Sequence, residues 1–402
     1  MKLKDRKASM NILDYLETEF ATFDEKPFGE VDALVLSEIC MARFDDIAPS
    51  LKEKSLFADI GTIVENLFSP SGRGVTFRDA LRAEFFDRMF IGLVPKRTKD
   101  LLIALAASPR FRDIVIRDYL SLFDTERQTQ FAAMAFVHKK EFAFLGFRGT
   151  DSSFTGWKED FNMAFTCPVP AQDQAVRYVE SASGGLPKRL MLGGHSKGGN
   201  LAVYAAINAD PKVQARIERV YDFDGPGFKP SVFTGEEYAK LKDRIVKIVP
   251  VDSIVGMLME SHEDYRVVAS DAKGINAHSG FTWQLNGDRF AFVDGISDSA
   301  RFTDQVITEW LGSFSDEELA VIVDAMFEAI AASGAENATD ILSGGAKTVQ
   351  LLMDANKNTG EPARTILTEA IKRLSEIVLR RFGRDVTVML GGKERRAIKQ
   401  AE

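Results

Sequence analysis

A serine becomes a nucleophile when the chain holds it on a sharp turn with a base beside it. One stretch of this sequence has the turn. Ser196 lies in Gly194-His195-Ser196-Lys197-Gly198, a G-x-S-x-G pattern. The apolar run Leu190–Leu192 before it reads as a buried strand, and the small residues from about Gly199 read as a helix. Gly194 and Gly198 carry no side chains, so strand and helix can close on each other around the serine. The Lys197 N–H then lies at a helix N-terminus, aimed at negative charge that develops next to Ser196. The competing reading is a Gly-rich turn in which Ser196 is only an N-cap.

Chemistry at Ser196 needs a base and a group to orient it. The order expected on an α/β-hydrolase sheet is Ser, then Asp or Glu, then His. The chain has four histidines, His138, His195, His262 and His278, and two follow Ser196. His278 is preferred, because its small neighbours Ala277, Ser279 and Gly280 leave an imidazole room to turn. His262 sits in a charged run that reads as solvated surface, and His138 reads as a solvated turn residue. For the acid, Asp252 is favoured because it stands just past the C-terminal end of a buried strand, where open α/β sheets place functional groups. Asp222 and Asp224 compete from the preceding strand, and Asp224, beside Gly225-Pro226-Gly227, reads more simply as a turn residue. In this scheme His278 takes the Ser196 proton, Asp252 holds the imidazole tautomer, and Ser196 forms an acyl-enzyme. The oxyanion needs at least two donors. Lys197 N–H is one, and Thr150 is the candidate for the other. The Lys197 side chain is expected to be solvated. No His/Asp/Glu cluster has ligand spacing, so no metal is expected. No cofactor is expected either.

The elements that would position these groups alternate. Phe131–Val137 and Glu141–Phe147 read as a hairpin joined at His138-Lys139-Lys140, and about Gln172–Ser181 reads as a helix. After the elbow helix come strands at Arg219–Phe223, Ile245–Val249 and Tyr265–Ala269, with a helix at Glu236–Leu241. Alternation of this kind implies a mainly parallel sheet with helices on both faces. Residues 1–125 read as a mostly helical flank packed on the core, with helices near Asn11–Glu19, Val31–Phe44, Leu56–Phe68, Phe77–Phe86 and Lys99–Ala107. Residues 126–300 form the catalytic core. Residues 301–402 are a helical extension, with a capping box at Ser315–Glu318, a helix ending near Gly334, and a long helix from Pro362 stopped at Gly383.

These motifs carry a resemblance. Phe147-Arg148-Gly149-Thr150, with Trp157 and Asp160 downstream, is similar to the oxyanion strand of class 3 (fungal-type) lipases. The elbow with Gly199-Asn200, together with Asn11–Leu16, Pro27-Phe28 and Val31–Ser37, resembles the bacterial Mbeg-like hydrolases, a lipase-related family. The match spans roughly residues 10–300. The resemblance implies an α/β-hydrolase fold and the triad Ser196, Asp252 and His278, with no settled substrate. An evident long apolar lid is missing, which argues against bulk triglyceride.

Composition narrows the partners. The chain of 402 residues has 45% hydrophobic and 27% charged residues, the balance of a globular protein. A formal charge of −8 gives nucleic acid no basic footprint. Two cysteines, Cys40 and Cys167, offer neither a disulfide framework nor a Cys metal site. The N-terminus has no apolar h-region and no 18-residue stretch is apolar and charge-free, so a cytoplasmic setting is expected. The expected substrate is a small acyl ester or a lipid-like molecule. Residues 301–354 hold ten acids and two bases, and 355–402 hold eleven bases and six acids. This split reads as helices packing on one another, a self-association surface, or membrane-surface contact. Two functions are therefore carried forward: a serine esterase, and a hydrolase-fold binding or scaffold protein without turnover.

Overall fold

The computed structural model describes residues 9–51, 74–260, 264–332 and 361–399. The chain divides into two compact units, residues 1–300 and 301–402. The first is built on a nine-stranded sheet. Its strands are β1 (Val75–Thr76), β2 (Val115–Asp124), β3 (Thr129–His138), β4 (Phe142–Phe147), β5 (Arg189–His195), β6 (Ile217–Phe223), β7 (Ile245–Pro250) and β8 (Tyr265–Val268). β9 (Leu285–Asn286) and β10 (Arg289–Phe290) form a separate small ladder, and β11 (Phe292–Val293) closes the main sheet. Spatial order follows chain order from β1 to β8, with β11 beside β8. β4 to β8 run parallel, whereas β1 to β4 and the β8–β11 pair are antiparallel. A mainly parallel sheet with a helix following directly on β5 is the α/β-hydrolase fold that the strand–helix alternation predicts.

Alternation along the strands supplies two cores. On β3, Ala133 and Ala135 pack with the helices Pro170–Ser183 and Lys197–Asn208 on one face. Met134 and Phe136 face the other way, against Leu34, Ile39 and Leu102 of the N-terminal helices. Small residues on the first side let the elbow helix lie close to the sheet. The helix Glu30–Ile39 is packed against β4, β5 and β6 and is pinned by a buried ion pair. Arg110 donates from Nε and Nη2 to Asp32 at 2.7 Å each, and also reaches the carbonyls of Ala21 and Pro27. A two-pronged pair of this kind is costly to break by removing one partner, at about 3–5 kcal/mol.

Three expectations change. The first 125 residues are not only helical, because β1 and β2 belong to the sheet. The segment expected as one helix over Phe77–Phe86 is broken into Phe77–Ala80, a 3-10 turn at Ala83–Phe85, and Phe86–Met89. His138 is buried on the end of β3, with Phe23 and Phe142 rings within 5.4 Å, rather than solvated in the turn. The reading at Leu56–Phe68 lies outside the described residues.

The second unit contains the helices Asp316–Ala332 and Glu361–Lys399, and Asp298–Leu311 leads into it. Its core gathers Ile322, Ala325, Ala329, Leu367 and Ala370, and Trp310 Nε1 donates to Ala370 O at 2.8 Å. The capping box is present in both directions, Ser315 N–H to Glu318 Oε2 at 2.8 Å and Glu318 N–H to Ser315 Oγ at 3.2 Å. Gly383 does not end the last helix, which runs on to Lys399. Its basic residues are partly neutralised, since Arg380 and Arg381 both pair with Glu309. The helix end expected near Gly334 is outside the described residues. Among the described residues no helix is long and apolar enough to cross a membrane.

Candidate active site

Three neighbouring strand ends converge at the site. Parallel pairing sets Phe147 of β4 beside Gly194 of β5, and His195 of β5 beside Phe223 of β6. The residues just beyond are therefore level: Arg148-Gly149-Thr150, Ser196 and Asp224. Ser196 has φ 60° and ψ −136°, a conformation that non-glycine residues rarely hold. It is kept there by its own N–H, which donates to Phe223 O at 2.9 Å, and by Gly199 N–H, which donates to Ser196 O at 2.9 Å. The flanking glycines are obligatory. A side chain on Gly194 would run into the backbone of Gly198, and one on Gly198 into the Phe147 carbonyl. The strained turn is the geometry of a nucleophile elbow, with Lys197 opening the helix Lys197–Asn208.

His278 arrives on the short turn Gly274–His278, and its ring is fixed from two sides. Nδ1 lies 2.6 Å from Asp224 Oδ2. Asp224 is fully buried, has φ 52°, and accepts at Oδ1 from Ser253 Oγ at 2.5 Å and Gly256 N–H at 3.2 Å. With the carboxylate accepting, His278 Nδ1 carries the proton and Nε2 is left as the basic nitrogen. On the other side, His195 Nε2 lies 2.6 Å from the His278 carbonyl, which can only accept. His195 is therefore the Nε2–H tautomer. Its ring centroid is 4.5 Å from that of His278, so the residue next to Ser196 holds the histidine loop against the elbow. Burial, then the neighbouring His278, push the His195 pKa down to about 3. Its Nδ1 faces Glu38 Oε1 at 3.6 Å, and burial raises Glu38 to about 7.

Here the carboxylate that meets His278 differs from the one expected. Asp252 does not meet His278. It accepts from Ser297 Oγ, from Ser299 Oγ at 3.4 Å and from Gly274 N–H at 3.2 Å, which ties the loop after β7 to the segments around 274 and 297. The reason is strand order: Asp224 directly follows β6, which is adjacent to β5, whereas Asp252 follows β7, one strand further from β5. The third contender, Asp222, pairs with buried Lys247 at 2.8 Å and accepts from Gly225 N–H. The sequence signal for Asp224 was present in its place directly after a buried run and before Gly-Pro-Gly. Its reading as a turn residue is also met, since its φ is positive. His262 lies outside the described residues.

Thr150 follows Gly149, which lies against the elbow, where an added Cβ would be 2.8 Å from His195 O and 3.4 Å from Ser196 Cβ. Its hydroxyl donates to Asp160 Oδ2, on the helix Phe154–Asn162. The Lys197 side chain is not solvated. It is buried and donates to Glu159 Oε2 at 2.5 Å and Gln130 O at 2.9 Å. Among the described residues no group of His, Cys, Asp and Glu is arranged to hold a metal ion.

A family profile matches residues 105–328, more than half of the sequence, and that family is Mbeg1-like. The chain belongs to the Mbeg1-like family. The match begins in the helix before β2 and takes in the whole parallel sheet, with Thr150, Ser196, Asp224 and His278 all inside it. No curated protein matches. Among solved structures, a Rhizomucor miehei lipase–propeptide complex is similar at 17% identity and TM-score 0.32, over 48% of this chain and 71% of that one. A lipase from Rhizopus microsporus var. chinensis is similar at 14% identity and TM-score 0.28, over 63% and 88%. The fold assignment of this Mbeg1-like chain stands on its own sheet and elbow.

Proposed function

We propose that the protein is a serine hydrolase that cleaves a carboxylic ester through an acyl-enzyme on Ser196. The observation that carries this reading is the combination of a strained serine at φ 60° with a histidine whose Nδ1 is bound at 2.6 Å by a buried carboxylate. In the reaction, His278 Nε2 accepts the Ser196 proton as Oγ attacks the acyl carbon, then returns it to the leaving alcohol. Asp224 holds the tautomer and stabilises the imidazolium. Water repeats the cycle to release the acid. The oxyanion is met by the Lys197 N–H and by the Thr150 N–H, the Thr150 hydroxyl being given to Asp160. The substrate class is a small or lipid-like acyl ester, and the setting expected for it is cytoplasmic.

The test is fluorophosphonate labelling of the wild type, Ser196→Ala and His278→Ala, read by intact mass. Labelling of the wild type alone is the expected result. Equal labelling of Ser196→Ala would remove Ser196 from the chemistry. No labelling of a folded wild type would favour a ligand-binding role without turnover.

A further inference from the structure

The Lys197 side chain joins the two halves of the candidate oxyanion hole. Its backbone N–H opens the elbow helix beside Ser196. Its ammonium passes beneath the elbow to Glu159, with side-chain exposures of 1% and 0%. Glu159 is fully engaged: Oε1 accepts from Ala171 N–H at 2.8 Å, and Oε2 from Gln130 N–H at 3.0 Å as well as from Lys197. The next residue, Asp160, has Oδ1 at 3.6 Å from Lys197 Nζ, and Oδ2 accepts the Thr150 hydroxyl. Asp160 Oδ1 is buried and has no hydrogen-bond partner, so Lys197 is its compensating charge.

Charge counting shows what the lysine does. The groups facing Asp160 are Lys197 from the elbow helix, Glu159 from its own helix and the Thr150 hydroxyl from the loop after β4. Without the lysine, the buried Glu159 carboxylate and the partly exposed Asp160 carboxylate would lose their shared cation, and their like charges would raise the pKa of one of them. Glu159 keeps two backbone donors, so the proton would go to Asp160. Thr150 would then face a neutral carboxyl, which can present an O–H as well as an acceptor oxygen, so its hydroxyl would no longer be held in one direction.

We propose that Lys197 is a positioning residue: its ammonium keeps Asp160 ionised and thereby holds Thr150 in register with the Lys197 N–H beside Ser196. Desolvation raises Asp160 to about 6 against the opposing pull of Lys197, while its side chain keeps 28% exposure to solvent. The proposal rests on the ester-hydrolase reading for its catalytic consequence, but not for the linkage itself.

The linkage is measured first, by following the Asp160 carboxyl carbon by NMR across pH in Ser196→Ala and in Ser196→Ala/Lys197→Met. The expected result is an upward shift of about one to two pH units in the second protein. An unshifted titration overturns the proposal. Kinetics then test the consequence with a short nitrophenyl ester. Lys197→Met should lower kcat about tenfold at pH 7 with KM little changed, raise the acid limb, and be rescued by Lys197→Arg. In an Asp160→Asn background the same substitution should produce no further shift of the limb. A uniform loss with an unchanged limb overturns the positioning role. Should Lys197→Met not fold, Lys197→Arg and Asp160→Asn carry the test: Asp160→Asn must lower the acid limb, and an unchanged limb overturns the proposal. A shifted Asp160 titration in a wild type that neither turns over nor labels would sink the esterase reading and leave the linkage standing.

Discussion

Asp224→Asn separates the two carboxylates that compete for His278. An Asn has one acceptor oxygen, and two donors already demand it at the Oδ1 position, Ser253 Oγ and Gly256 N–H. The amide nitrogen is therefore placed where Oδ2 stands, 2.6 Å from His278 Nδ1. A donor there favours the tautomer with its proton on Nε2, so the nitrogen needed by Ser196 has no lone pair to offer. A wrong-tautomer substitution in a Ser-His-Asp site costs about 10⁴-fold in kcat, which is about 5 kcal/mol at about 1.4 kcal/mol per decade. Asp252→Asn leaves the His278 pairing intact and should keep the rate within about threefold, because it changes only contacts to Ser297, Ser299 and Gly274. The assay is kcat/KM on a nitrophenyl ester together with the rate of fluorophosphonate labelling, with circular dichroism to confirm that both variants are folded. A folded Asp224→Asn protein within tenfold of wild type would refute the assignment of the acid. So would an Asp252→Asn protein that loses as much.

Two further outcomes follow from the same geometry. Ser196→Gly should abolish labelling and raise stability by about 1 kcal/mol in urea unfolding, because glycine holds φ 60° without strain; a loss of stability would show that the turn is unstrained. Glu38 has its pKa raised from 4.5 to about 7 by burial, so its contribution to stability is complete below about pH 4.5 and is lost as pH rises through 7. Glu38→Gln should match wild type at pH 4 and be more stable by up to roughly 3 kcal/mol at pH 8, and a difference independent of pH would argue against a buried, titrating Glu38.

Much of the site was legible because local sequence imposes it. The elbow needs two glycines around a serine, and Gly194 and Gly198 can be nothing else. His278 was legible by elimination. The carboxylate that pairs with His278 was not, because choosing between Asp224 and Asp252 requires knowing which strand lies beside β5, and pairing is not written in either segment. Lys197 was misread for a related reason: its partner Glu159 lies 38 residues away, and nothing around position 197 announces a buried carboxylate. Strand β2 was hidden by its own irregularity. The pairing with β3 slips between Arg117 and Leu120, where Asp118 has φ 53°, so the apolar residues of Val115–Asp124 do not alternate. Gly383 illustrates the limit of a local stop signal, since a glycine weakens a helix by only about 1 kcal/mol and the turns around it can carry the chain through.

The order of the sheet has a consequence for synthesis. From β1 to β8 each strand pairs with the one made just before it, so a chain leaving the ribosome can add strands one at a time without waiting for a distant partner. The elbow, and Asp224 after it, emerge while the sheet is still growing. His278 comes 82 residues after Ser196 and beyond the last parallel strand, on a turn whose carbonyl is captured by His195. A nascent chain therefore holds Ser196 and Asp224 before His278 has been made. The pairing of His278 with Asp224 is the last of the site's contacts that the order of synthesis allows.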